Sequence, residues 1–136
     1  MSLEEKVVEQ LRHVENGEWD QAWAMYADTA TVWKHNELEL TLAEASSRAS
    51  AQDGMVASLK YNIIRQISEG DDVLTQLDIE VDQDYGEGTM RGNVHAVFYF
   101  RFENGLIVRN EQYANFIPIS TGTVDGELKA RTGEDA

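Results

Sequence analysis

Near residue 54 the spacing of apolar residues changes from a helical to a strand period, and that change confines the chain to helices first and a sheet second. Upstream, Leu3, Val7, Leu11 and Val14 recur at three- or four-residue intervals, with Glu4, Glu5, Lys6 and Glu9 on the other side. Acids in the first turn suit the helix dipole, and Asn16-Gly17 supplies a stop. A second helix follows at once, with Trp19, Ala22, Trp23 and Tyr26 as a broad aromatic stripe expected in the core. Residues 30–34 read as a short strand. Thr41-Leu42-Ala43-Glu44 is a capping box, in which the Thr oxygen and the Glu carboxylate take up free amides at a helix start. The helix it opens is expected to end near Gln52, before Asp53-Gly54.

Downstream the alternation is regular. Leu59, Tyr61 and Ile63 alternate with Lys60 and Asn62, and Leu77, Ile79 and Val81 alternate with Asp78, Glu80 and Asp82, giving strands with one buried and one wet face. Glu69-Gly70-Asp71-Asp72 and Tyr85-Gly86-Glu87-Gly88 mark turns. A long strand covers about 91–103, with Phe98, Phe100 and Phe102 on one face and Tyr99, Arg101 and Glu103 on the other. Asn104-Gly105 is a strong hairpin signal. The returning strand is expected over residues 106–117, stopping at Pro118, the only proline. Helices followed by hairpin-linked strands make an α+β domain, here spanning 1–118, with a polar C-terminal tail over 119–136.

A chain of 136 residues sits at the usual size of one domain. It carries 25 acids against 11 bases, a formal charge of −14, which repels phosphate backbones and anionic lipid. Nucleic acid and membrane surfaces are therefore excluded as expected partners. The absence of cysteine rules out disulfides and thiolate chemistry, and fits a reducing, cytoplasmic setting. The first residues, Met1-Ser2-Leu3-Glu4-Glu5-Lys6, lack the basic and apolar regions of a signal peptide.

Few residues advertise chemistry. Five acids fall within residues 78–87, yet Gln83 and Thr89 stand where a calcium loop needs Gly and Glu, so a wet strand face is the expectation and no metal is assigned. Zinc spacing, phosphate loop, nucleophile elbow and dinucleotide fingerprint are absent, and no cofactor is assigned. The phenylalanine alternation puts His95 on the opposite strand face, in a structural or interfacial role. His13 falls on the polar side of the first helix, where solvation is expected.

Two stretches carry a resemblance. Gly17-Glu18-Trp19-Asp20 followed by Met25-Tyr26-Ala27-Asp28-Thr29-Ala30-Thr31-Val32 resembles the "GD…YADDAxV" run of ketosteroid isomerases and polyketide-cyclase-like proteins. Phe100-Arg101-Phe102-Glu103-Asn104-Gly105-Leu106-Ile107-Val108, then Tyr113, is similar to the "FxFxxGxI…Y" hairpin of the same nuclear-transport-factor-2-like (SnoaL-like) superfamily. The resemblance covers about residues 3–117. It implies a cone-shaped fold in which three N-terminal helices pack on a curved, mostly antiparallel sheet around an apolar cavity. It also implies a pocket for a small, mostly apolar molecule, walled by Tyr26, Trp33, Tyr61, Phe98, Asn110 and Gln112.

The departures from that family bear on activity. Laid along the isomerase pattern, the helix-one tyrosine falls at Gln10, the general-base aspartate at Lys34 and the oxyanion-hole aspartic acid at Phe98. The inward acid of the cyclases falls at Gln112, which hydrogen-bonds but takes no proton at neutral pH. Steroid-type isomerisation by paired carboxylic acids is thereby excluded. If catalysis occurs, Lys34 and His35 are the groups for it: an inward lysine is desolvated and can act as base or nucleophile, and His35 ends the first strand at the pocket mouth. The competing roles are a lysine that snorkels to the rim or pairs with an inward acid, and a surface loop histidine. Val97 and Tyr99 make the outer sheet face more apolar than solvent favours, so a homodimer through the sheet is expected, as is common in this superfamily. The alternative is a non-catalytic dimerising domain whose cavity is filled by its own side chains.

Overall fold

The computed structural model describes residues 1–34, 38–52, 56–84 and 89–120. Two of the three described helices start at a short polar device. In α1 (Leu3–Glu15) the Ser2 hydroxyl accepts from Glu5 N–H while the Glu5 carboxylate accepts from Ser2 N–H. The same reciprocal pair, Thr41 with Glu44, opens α3 (Leu42–Gln52) as its sequence signature requires. Between them α2 (Trp19–Ala24) is a short helix that ends before Tyr26. Tyr26 instead begins β1 (Tyr26–Lys34), a strand longer than expected. The aromatic stripe survives this change because Trp23 still packs on both Trp19 and Tyr26 across the helix–strand junction.

The remaining strands are β2 (Leu38–Thr41), β3 (Val56–Glu69), β4 (Asp72–Asp84), β5 (Thr89–Glu103) and β6 (Leu106–Ser120). They form one curved, open, six-stranded sheet in the order β2-β1-β6-β5-β4-β3. All neighbours are antiparallel except β1 and β6, which run parallel. The β5–β6 hairpin turns at Asn104 (φ 51°) and Gly105 (φ 79°), the left-handed pair that a two-residue loop demands. β6 does not stop at Pro118. It continues to Ser120, with Pro118 opposite Gly92 of β5. Among the described residues β1 pairs with β6 no further than Gln112, which leaves Pro118 on a stretch with a strand neighbour on the β5 side only. Most of the tail foreseen for 119–136 lies outside the described residues.

Inner-face side chains follow the period-2 rows. Val73, Leu77, Phe100, Phe102 and Ile107 are fully or almost fully buried, and Val7 and Leu11 of α1 join them. Helix α1 packs on β3 and β4, whereas α3 packs on β1 and β2. The β5–β6 part of the inner face lies between the two helices. On the outer face, Asp78 pairs with His95, Glu80 with Asn62 and Asp82 with Ser58. The acidic run is thus a wet strand face with cross-strand partners, and His95 is on it. His13 is not merely solvated. It bonds Glu18 at the start of α2 and lies near Glu9, and these carboxylates, Glu18 first, raise its pKa. Among the described residues no helix is long and apolar enough to cross a membrane.

Candidate functional site

Register brings the inner-face polar groups together. Lys34 is opposite Gln112 on β6, and Gln112 is opposite Phe98 on β5. One row inward, Val32 is opposite Asn110, and Asn110 is opposite Phe100. Two side-chain hydrogen bonds result. The Lys34 ammonium donates to Gln112 Oε1 at 2.7 Å, and the Asn110 amide donates to the Tyr26 hydroxyl at 2.9 Å. Asn110 is 2 % exposed, and its Oδ1 is a buried acceptor without a partner among the described residues. Lys34 and Gln112 keep partial exposure, so the first pair sits nearer the rim and the second deeper.

Aromatic rings wall the same region. Tyr61 meets Phe98 edge-on at 6.2 Å between centroids, and Phe98 meets Phe100 in the same way. Burial raises the phenol pKa of both Tyr26 and Tyr61, so each stays a neutral O–H at any physiological pH. Burial also lowers the Lys34 pKa, and the Arg48 charge on α3 lowers it further. No carboxylate pairs with Lys34 among the described residues. The arrangement can hold an apolar molecule against Phe98 and Tyr61 and offer it N–H donors from Lys34 and an acceptor at Asn110.

Of the residues expected from sequence, Tyr26, Lys34, Tyr61, Phe98, Asn110 and Gln112 share the inner side of the sheet. Trp33 does not. With Val32 and Lys34 facing inward, the strand period sends Trp33 outward, where its ring lies 4.9 Å from that of exposed Tyr113. Its place is the outer face, so the pocket wall loses one member. His35 lies outside the described residues. Gln10 is a residue that sequence reasoning noted only as a lost tyrosine. It is 4 % exposed on the inward side of α1 and makes no side-chain hydrogen bond among the described residues. Its signal was its place between Val7, Leu11 and Val14 on the apolar stripe. An open depression of about 620 Å³ lies between the end of α1 and β3, lined by Arg12, Glu15, Asn16 and residues 59–63. It meets the inner cluster only at Tyr61.

The sequence matches no protein-family model and no curated protein. Solved structures do match. A protein from Shewanella putrefaciens described as a SnoaL-like polyketide cyclase superposes with a TM-score of 0.74 at 11% identity, covering 84% of this chain and 90% of its own. An LEH-like epoxide hydrolase of M. tuberculosis gives 0.66 at 18% identity, over 81% and 80% of the two chains. AclR of Streptomyces galilaeus, described as a hydroxylase, gives 0.69 at 12% identity, over 96% and 95%. The chain therefore has the fold that these structures share, the nuclear-transport-factor-2-like fold. The three descriptions name three different reactions, so the fold selects no reaction.

Proposed function

We propose that the protein binds a small, mostly apolar molecule on the inner face of the sheet, which the helices close into a cone. The observation that carries this reading is a pair of polar contacts, Lys34–Gln112 and Tyr26–Asn110, set into a mostly apolar face with Asn110 Oδ1 left unpartnered among the described residues. Buried polar groups are normally satisfied, so a bound molecule is the natural partner for that acceptor. If the bound molecule is also transformed, Lys34 and His35 are the groups to test, because isomerase-type paired acids are replaced by Lys34 and Phe98. We place the protein in the cytoplasm, consistent with a cysteine-free chain of net charge −14.

The test is a thermal-shift ligand screen of the parent, repeated on Lys34→Met and Gln112→Leu, with a steroid enone isomerisation assay alongside. Ligands that stabilise the parent and lose their effect in both variants are expected, with no isomerisation. Binding indifferent to both substitutions moves the site elsewhere.

A second reading has its own support. The outer face exposes Leu74, Val97 and Tyr113, with the Trp33 ring tilted against the last. We infer that two copies pair through this face. In the non-catalytic version of this reading, dimerisation is the whole function and the inner face is filled by its own side chains. Light scattering giving a monomer at micromolar concentration would end the pairing.

A further inference from the structure

Lys34 is the charged group of the inner face, and its own needs are poorly met. Its ammonium has three N–H donors, and the described residues provide one acceptor for them, the neutral Gln112 Oε1. A charge withdrawn from water is costly unless an opposite charge compensates it. Here the nearest ionic influence is a second cation, Arg48 on α3, which adds repulsion. Twenty-five acids are available in this chain, yet none pairs with Lys34 among the described residues.

The position is also reachable. Lys34 on β1 and Gln112 and Ala114 on β6 keep partial exposure on the inner face. In the neighbouring row Ala114 is paired with Ala96, which is buried, so the short exposed side chain beside Gln112 is that of Ala114. A rim cation with a short apolar side chain two residues along β6 matches one ligand shape: an apolar body with a single anionic end.

From this we infer that the ligand of the inner face is an apolar carboxylate whose carboxyl group seats against the Lys34 ammonium, with its body along Gln112 and Ala114. This inference rests on the small-molecule reading above and specifies its chemistry. The carboxylate supplies the counter-charge that the described residues withhold, accepts the remaining N–H donors and draws on the field of Arg48. The bond to Gln112 holds the ammonium in place. An overall charge of −14 disfavours anions at long range, so selection of a carboxylate has to come from this local cation pair and not from the general field.

The experiment pairs isosteres. Octanoate and benzoate are titrated calorimetrically into the full chain at pH 7, beside 1-octanol and benzyl alcohol, for the parent, Lys34→Met and Lys34→Arg. The parent is expected to bind the carboxylates more tightly than the alcohols. Lys34→Met should weaken carboxylate binding by about 10- to 100-fold, the range for a hydrogen bond to a charged group, while leaving the alcohols within about threefold. Lys34→Arg keeps the charge and should retain the preference for carboxylates. Circular dichroism checks that each variant is folded. Should Lys34→Met prove unfolded, the parent's carboxylate-to-alcohol ratio and its retention in Lys34→Arg decide the matter. Alcohols binding as well as or better than carboxylates would overturn this inference and leave the small-molecule site standing. Carboxylate binding unchanged in Lys34→Met would overturn it too. Absence of binding by all four probes up to millimolar concentration would overturn both the inference and the small-molecule reading.

Discussion

Glu15, in the last turn of α1, accepts the backbone N–H of Tyr61 on β3. Arg12, one turn earlier, donates to the Tyr61 carbonyl at 2.9 Å and to Glu15 at 2.7 Å. β3 is the last strand of the sheet, so these are edge groups that would otherwise face solvent or another chain. Two helix side chains take the place of a neighbouring strand residue at that point, while the Tyr61 ring turns inward.

This clamp should carry stability. Glu15→Ala leaves a part-buried amide without its acceptor and frees Arg12, and a cost of about 1–3 kcal/mol is expected. Denaturant unfolding of Glu15→Ala, Arg12→Ala and the double variant gives the coupling between them. Strictly additive single effects would show that the two side chains do not act as one clamp.

The Tyr26–Asn110 bond invites a different cycle. Tyr26→Phe alone should cost about 1–2 kcal/mol, because the buried Asn110 amide then loses its acceptor beside an already unpartnered oxygen. Asn110→Leu added to Tyr26→Phe removes every member of this small polar group. The double variant should recover stability to near the parent value, since replacing both partners by apolar groups is close to neutral. Equal destabilisation in single and double variants would mean that the asparagine is held for its packing.

The fold was legible because its signals are local. The Thr41–Glu44 capping box, a change of apolar period and an Asn-Gly turn each determine a few bonds, and the capping box and the turn form as expected, whereas the equivalent Ser2–Glu5 box was not singled out. The site was only partly legible. Strand alternation places Phe98 with Phe100, and Asn110 with Gln112, on one face each, but it cannot show that β1 lies parallel to β6. The Lys34–Gln112 contact depends on that pairing across 78 residues of sequence. Grouping Trp33 with Lys34 went against the period of the strand itself, since adjacent residues point to opposite faces. The clamp on Tyr61 gave no sequence signal, because Arg12 and Glu15 read as ordinary residues of a polar helix face.

Burial separates two core aromatics that looked equivalent in sequence. Phe100 is fully buried, whereas Trp23 is half-buried at the α2–β1 junction. Phe100→Ala should cost about 3–5 kcal/mol through lost burial plus a cavity. Trp23→Ala should cost less, because water can enter part of the space vacated. Urea midpoints of the two variants rank them directly. A smaller loss for Phe100→Ala than for Trp23→Ala would contradict the packing described above.

Lys34 gives the last prediction, a dependence of stability on pH. Burial, with the Arg48 charge second, holds the Lys34 pKa in the folded protein below that of an ordinary lysine. Facing it are the neutral Gln112 amide on β6 and Phe98 beyond on β5, so no other group titrates against it among the described residues. Between the lowered pKa and the unfolded value of about 10.4, the unfolded chain binds more protons than the folded one. Stability therefore rises with pH across that window. Below it, the penalty of holding a poorly compensated ammonium is present in full. Lys34→Met removes that penalty, and an apolar side chain in place of a poorly paired buried charge is often stabilising. The variant should show a higher urea midpoint than the parent at pH 7, with the advantage shrinking as the pH approaches 10. Taking the difference between the two proteins at each pH cancels groups common to both, such as Tyr99 and Tyr113, whose phenols are raised by their carboxylate neighbours as well as by burial. A difference that stays constant between pH 7 and 10 would mean that Lys34 is as well solvated as a surface lysine, and the account of its environment would fail.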